Sequence, residues 1–164
     1  MQVFLCPNPE PPFNLRVFYP AYDDPARPTN LTDDEFLEYA IARNKASGVV
    51  DDDCPIYRIA SEALPSDHYF FNAWEWIDGA VVEARAKCET IHMGRIRVAR
   101  DKELAALDVP YMRALESADV DEQTRITGLK QTLRDIPQTF DLSGYASVAD
   151  LKAAWPDILP TPLS

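Results

Sequence analysis

The sequence predicts an α+β protein. A small N-terminal domain with strands and one helix covers residues 1–82, and a long antiparallel helical hairpin covers residues 83–137. Residues 138–164 read as a linker, a short helix and an extended tail. Three observations predict this order. Up to Val82, β-prone aromatic and branched runs alternate with proline and turn residues. From about Glu83 the apolar residues recur at threes and fours instead. Two such stripes follow one another with a short connection, and an antiparallel pair is the natural way to bury both.

Seven of the fourteen prolines fall within residues 1–30, at Pro7, Pro9, Pro11, Pro12, Pro20, Pro25 and Pro28. Proline lacks the amide donor and fixes φ, so this region is expected to hold no long helix and no central strand. Only Asn14–Tyr19 is free of breakers and β-rich, and it is expected to form one strand. Leu31-Thr-Asp-Asp-Glu-Phe36 then carries a capping box, in which Thr32 and Glu35 satisfy each other's amides, with Leu31 and Phe36 placed as a hydrophobic staple. The helix it starts should run from Asp33 to Lys45 and stop at Gly48. Asp33, Asp34 and Glu35 suit the positive end of its dipole, so they read as capping charges rather than metal ligands. Cys54–Ala60 reads as a strand whose Pro55 puts it at an edge. Tyr69–Ile77 reads as another strand, with Phe70, Trp74 and Trp76 on one face. Asp78-Gly79 is a type I′ turn signal, and Ala80–Val82 should return as the partner strand.

The first helical stripe comprises Cys88, His92, Ile96, Ala99, Leu107, Tyr111 and Leu115. Pro110 interrupts it and should kink or divide the helix near Ala106. Asp119-Val-Asp-Glu122 resembles a second capping-box start. The next stripe is Ile126, Leu129, Leu133 and Ile136, with Pro137 expected to end the helix. Ser147 to Asp150 should cap a short helix over Val148–Ala154, closed by Trp155-Pro156, and Pro160–Ser164 should be extended.

Composition narrows the function classes. The net charge of −11 is uneven, with −9 carried by residues 1–78, while residues 85–102 carry +4 through Arg85, Lys87, Arg95, Arg97, Arg100 and Lys102. An acidic surface repels the nucleic-acid backbone, and the basic stretch is expected to be a solvated helix face or to pair with the chain's own acids. No apolar run is long enough to span a membrane, and the N-terminal residues do not read as a signal peptide, so synthesis in a cytoplasm is expected. Cys6, Cys54 and Cys88 have the spacing of neither a disulfide framework nor a zinc knuckle, and read as packing thiols.

Motifs of chemistry are missing from the residues. His68 and His92 have no second ligand at metal-binding spacing. Asp51-Asp52-Asp53 lacks the glycine and distant glutamate of a calcium loop and reads as a solvated turn. The five glycines are scattered, so no phosphate-cradling loop forms. The expectation is a non-enzyme with no cofactor and no metal. A hydrolase acting on the host surface and a DNA-associated protein using residues 85–102 are the alternatives.

The helical region also resembles a known family. Ile91-His-Met-Gly-Arg-Ile-Arg97 with Leu104–Glu116 looks like a hairpin common in phage and prophage proteins encoded near tail-fibre genes. Leu133-Arg-Asp-Ile-Pro137 followed by Trp155-Pro156 is similar to the phage tail assembly chaperone family. Asp34-Glu-Phe-Leu37, Pro55–Ile59, Ala63–Asp67 and Asn72-Ala-Trp74 resemble the front part of the same prophage proteins, so the likeness spans about residues 31–156. The spacing between Pro137 and Trp155 is longer than in the chaperones, and the β-containing front part is an addition to them. The resemblance implies a phage tail protein that binds a tail-fibre or baseplate component, as assembly chaperone or as an accessory subunit retained in the virion. It implies a place in the bacterial host cytoplasm during assembly, or in the virion tail. Trp74, Trp76, Tyr111, Leu115, Ile126, Leu129, Leu133 and Trp155 are the candidate partner-binding residues, and the helical seam could also support self-association.

Overall fold

The structure is a computed structural model that describes residues 1–8 and 14–161. The chain forms two compact units, Met1–Ala84 and Arg85–Ser164. It is an α+β protein with two small antiparallel sheets and five α-helices among the described residues.

The first unit is built on β1 (Gln2–Pro7), which lies between β2 (Leu15–Phe18) and β3 (Tyr57–Ala60) in an antiparallel sheet. The expectation that no central strand lies among the first thirty residues is therefore wrong. Gln2–Cys6 contains no proline, and Pro7 falls on its last position, where little ladder remains to be lost. Pro9, Pro11 and Pro12, which weighed in that expectation, lie outside the described residues. The register pairs Phe4 with Phe18 and Arg58, and the two phenyl rings stack with centroids 4.6 Å apart.

Successive side chains of a strand point to opposite faces, and both faces of β1 are buried. Val3 and Leu5 pack with Leu15, Leu64, Trp74 and Val81. Phe4 and Cys6 pack on the other side with Leu37, Ile41 and Val50. The helix α1 (Asp33–Ala46) supplies Leu37 and Ile41. Its start is the expected capping box: Glu35 donates its amide to Thr32 Oγ1, and the Thr32 amide donates to Glu35 Oε2 at 2.8 Å. Those bonds favour the carboxylate and hold Glu35 below its usual range. Gly48 at φ +71° follows the helix, a region that only glycine enters cheaply.

The opposite face of the sheet is covered by the hairpin of β4 (Trp74–Ile77) and β5 (Ala80–Glu83). Asp78 and Gly79 have φ of 51° and 84°, the paired positive values of the expected turn. Two expected strands are shorter than the sequence suggests. Cys54–Ile56 precede β3, and Phe71–Ala73 form a 3₁₀ turn before β4, so the period-two face holds only for Trp74 and Trp76.

The second unit comprises α2 (Arg85–Ala106), α3 (Asp108–Glu116), α4 (Val120–Thr139) and α5 (Val148–Ala153). The division at Leu107 is the one that Pro110 predicts. As the third residue of α3, Pro110 needs no intrahelical partner. Ion pairing of Lys130 with Asp108 at 2.6 Å, and a bond from Gln123 Nε2 to the Ala114 carbonyl at 3.1 Å, require α3 and α4 to run antiparallel. Asp119 caps α4 by accepting the Glu122 amide. Pro137 does not end α4, contrary to expectation. It lies inside the helix and costs the bond to the Leu133 carbonyl, which the burial of Leu133 and Ile136 beside it outweighs, and Phe140 closes the helix by donating to the Ile136 carbonyl at 2.9 Å. The expected capping box of Ser147 and Asp150 starts α5. Of the tail expected to be extended, Pro162–Ser164 lie outside the described residues.

Trp74 is fully buried between the sheet and its hairpin, yet its indole Nε1 has no hydrogen-bond partner among the described residues. Trp74→Ala should cost about 3–5 kcal/mol of unfolding free energy through the cavity it leaves. Trp74→Phe should cost well under half of that, because it keeps a packed ring and removes the unpaired donor. Urea denaturation of the two variants checks the difference. Equal losses would show that the indole N–H is satisfied in solution.

Candidate partner-binding surface

In the second unit, α2 holds the segment that follows α4. Arg85 pairs with Glu89 at 2.7 Å and extends its other nitrogens to the carbonyls of Leu142 (3.0 Å) and Ser147 (3.2 Å). At about one, two and three turns further along the helix lie Cys88, His92 and Ile96, all buried. His92 Nε2 lies 2.6 Å from the Ala154 carbonyl. A carbonyl only accepts, so this nitrogen carries the proton. The His92 and Trp155 rings meet edge to face at 5.8 Å, and Trp155 Nε1 donates to the Pro160 carbonyl at 3.0 Å. Leu159 is buried behind this turn. Trp155 thus pins residues 155–160 into a turn, with its own ring left half-buried beside an open depression lined by Tyr145, Asp150 and Ala154.

The eight candidate residues separate by burial. Trp74, Ile126 and Leu133 are buried and belong to the cores of their units, so they offer no surface to a partner. Trp76 is half-buried and stacks on Tyr57 at 4.7 Å. Tyr111 and Leu129 are half-buried, and Lys130 sits over the Tyr111 ring at 5.2 Å. Leu115 is the surprise. As the last member of the first stripe it should face inward, but it is exposed and Ala114 is buried in its place. The break at Leu107 resets the helical phase, so a stripe drawn straight through it points the wrong way.

That reset exposes more than Leu115. Val109, Met112 and Leu115 are 58%, 51% and 49% exposed, and Val120 at the start of α4 is 67% exposed. At about 100° per residue, positions three apart lie about 60° apart around the axis, so the first three cover one flank of α3, opposite Ala114. The sequence reading missed Val109, Met112 and Val120. Their signal was present as an apolar residue at every third position of a helix whose buried face was already assigned.

The basic stretch of α2 is partly neutralised by neighbours, Arg85 by Glu89 and Arg100 by Asp101. His68 is exposed against Phe71 and Trp74, and among the described residues no three His, Cys, Asp or Glu side chains converge as a metal site. No helix among the described residues is long and apolar enough to cross a membrane. Compared with protein-family models, curated proteins and solved structures, the chain matches none.

Burial holds the His92 imidazole below its ordinary value, with the Ala154 bond opposing the shift and Arg95 reinforcing it. The unfolded chain therefore takes up this proton at a higher pH than the folded one. The contribution of His92 to stability is full above its unfolded value, near 6.5, and declines as pH falls below it. Denaturation at pH 7.5 and pH 5.5 should show the wild type losing stability on acidification, and His92→Gln losing less. A His92→Gln variant with the wild-type pH dependence would assign the loss to other groups.

Proposed function

We propose that this chain is a bacteriophage tail protein that binds a tail-fibre or baseplate component, as an assembly chaperone or as an accessory subunit of the virion. The resemblance of Leu133–Pro137 and Trp155-Pro156 to the tail assembly chaperones supplies the class of partner. The observation that carries the reading is the exposed apolar flank of α3. Surface apolar residues are common singly, but Val109, Met112 and Leu115 along one flank, with Asp108, Arg113 and Glu116 around them in sequence, have the make-up of an interaction patch. In this reading α2 with α3 forms one arm of a helical hairpin and α4 the other. The hairpin presents that flank to a fibre or baseplate subunit whose apolar surface needs cover before assembly. Trp155 acts by pinning the turn over residues 155–160, and Leu115 by direct contact.

The double substitution Met112→Asp with Leu115→Asp tests this. It should lower recovery of a co-expressed tail-fibre or baseplate subunit at least tenfold while leaving the melting temperature within a few degrees, because both side chains are exposed. Unchanged recovery would remove α3 from the interface. Failure of the wild-type chain to bind any fibre or baseplate subunit of its source phage would remove the function. Mass spectrometry of purified particles then separates the two roles: stoichiometric presence marks a retained subunit, and absence marks a chaperone.

A further inference from the structure

The first unit carries a side-chain cluster that the proposed function does not use. Cys6 on β1 and Arg16 on β2 are cross-strand partners, so their side chains leave the sheet together on the α1 side. Cys54, on the segment leading into β3, packs against the same cluster as Cys6. Its Sγ lies 3.8 Å from the carbonyl of Pro7, the next residue after Cys6. Cys6 and Cys54 thus lie in one packed cluster on the α1 side of the sheet. Cys6 is fully buried and Cys54 half-buried, so a small reagent from solvent reaches Cys54 first. Arg16 completes the cluster. Its Nη1 donates to the Val49 carbonyl at 2.6 Å, while Nε and Nη2 are buried with no hydrogen-bond partner among the described residues. Orphaned guanidinium donors are rare in folded proteins. Cross-strand from Cys6, they are placed to meet an oxygen carried on sulfur in this cluster.

We propose that Cys54 and Cys6 form a reversible oxidation site, converted by a peroxide to a Cys6–Cys54 disulfide through a sulfenic acid at Cys54. In the first step the Cys54 sulfur attacks one peroxide oxygen. An S–O bond forms, the O–O bond breaks, two electrons pass from sulfur to oxygen, and the departing hydroxide takes the thiol proton and leaves as water. Arg16 Nε–H and Nη2–H donate to the oxygen now held on Cys54. In the second step the Cys6 sulfur attacks the Cys54 sulfur. The S–S bond forms, the S–O bond breaks, and the hydroxide leaves as water with the Cys6 proton. Two thiols and one hydrogen peroxide thus give one disulfide and two waters. Full burial keeps the Cys6 thiol away from the peroxide while the half-buried Cys54 is oxidised. The new bond would tie the central strand to the segment before β3 and restrain the unfolded chain between residues 6 and 54.

The test uses the whole chain treated with hydrogen peroxide, then denatured, alkylated and weighed. The wild type, with three free thiols before treatment, should retain one alkylatable thiol and recover all three on treatment with dithiothreitol. Peptide mapping should place the disulfide between residues 6 and 54, with Cys88 on α2 as the internal reference. Cys54→Ala should form no disulfide, and Arg16→Met should slow disulfide formation severalfold. Three thiols retained by the wild type, a disulfide to Cys88, or sulfinic acid at Cys54 without any disulfide would each overturn the proposal. Because mapping is done on the wild type, it stands even where a variant fails to fold.

Discussion

Val3 and Leu5 leave β1 on one side, and Phe4 and Cys6 leave it on the other, so both sides of the first sheet must be covered. That demand fixes most of the first unit. One side takes α1, whose Leu37 and Ile41 are spaced four apart to meet the sheet. The other side takes the β4–β5 hairpin, with Trp74 filling the space that a two-strand hairpin would otherwise leave open. Antiparallel strands usually keep one wet face. A strand this short, dry on both faces, buries more apolar side chain per residue than a wet one and compensates for the small size of the sheet. It also explains why the thiol of Cys6 lies beyond solvent while Cys54, on a connecting segment, does not.

The second unit has no sheet to organise it, and α2 takes that part. It is the element against which α3, α4 and α5 all pack. Its buried row ends at Ile96, and beyond Leu107 the chain turns into α3 and α4, which bury Ala114, Ile126, Leu133 and Ile136. The segment after α4 buries Leu142, Leu151, Ala154 and Leu159, and polar bonds hold it as well: Arg85 on two carbonyls and His92 on a third. Ala118, at φ 55°, makes the tight turn between α3 and α4 without a glycine. That turn is strained for an alanine, and the Ala114 carbonyl offsets the strain by taking bonds from both the Asp119 amide and the Gln123 side chain.

Local signals in the sequence were read well, and signals that depend on tertiary context were not. Both complete capping boxes, the Asp78-Gly79 turn and the break ahead of Pro110 depend on residues within four positions of one another, and each appears where its chemistry puts it. The central strand was missed because the prolines around it were weighed as one group, although Gln2–Cys6 has the continuous apolar run of a strand buried on both faces. Pro137 costs α4 one intrahelical bond, and the buried Leu133 and Ile136 carry the helix through it, which a local proline rule does not weigh. In the candidate surface, Trp74 and Trp76 share a face, yet one is core and the other half-exposed, since how much the neighbouring layers cover is decided by the rest of the chain.

The size of the α3 flank bears on which of the two proposed roles it suits. Three side chains at successive threes on one short helix make a narrow strip. A strip of that kind matches a groove that receives one helix face, and Met112 at its centre is the side chain best able to adjust to different partner surfaces. Permanent subunit interfaces commonly bury more than about 2,000 Å² and resemble a core cut in half, whereas transient contacts fall near or below about 1,200 Å². Three residues of this kind reach only the lower range. A retained subunit would need a second apolar surface beyond this flank. In the proposed chaperone role, which has to let go of its partner, no more than the strip would be needed.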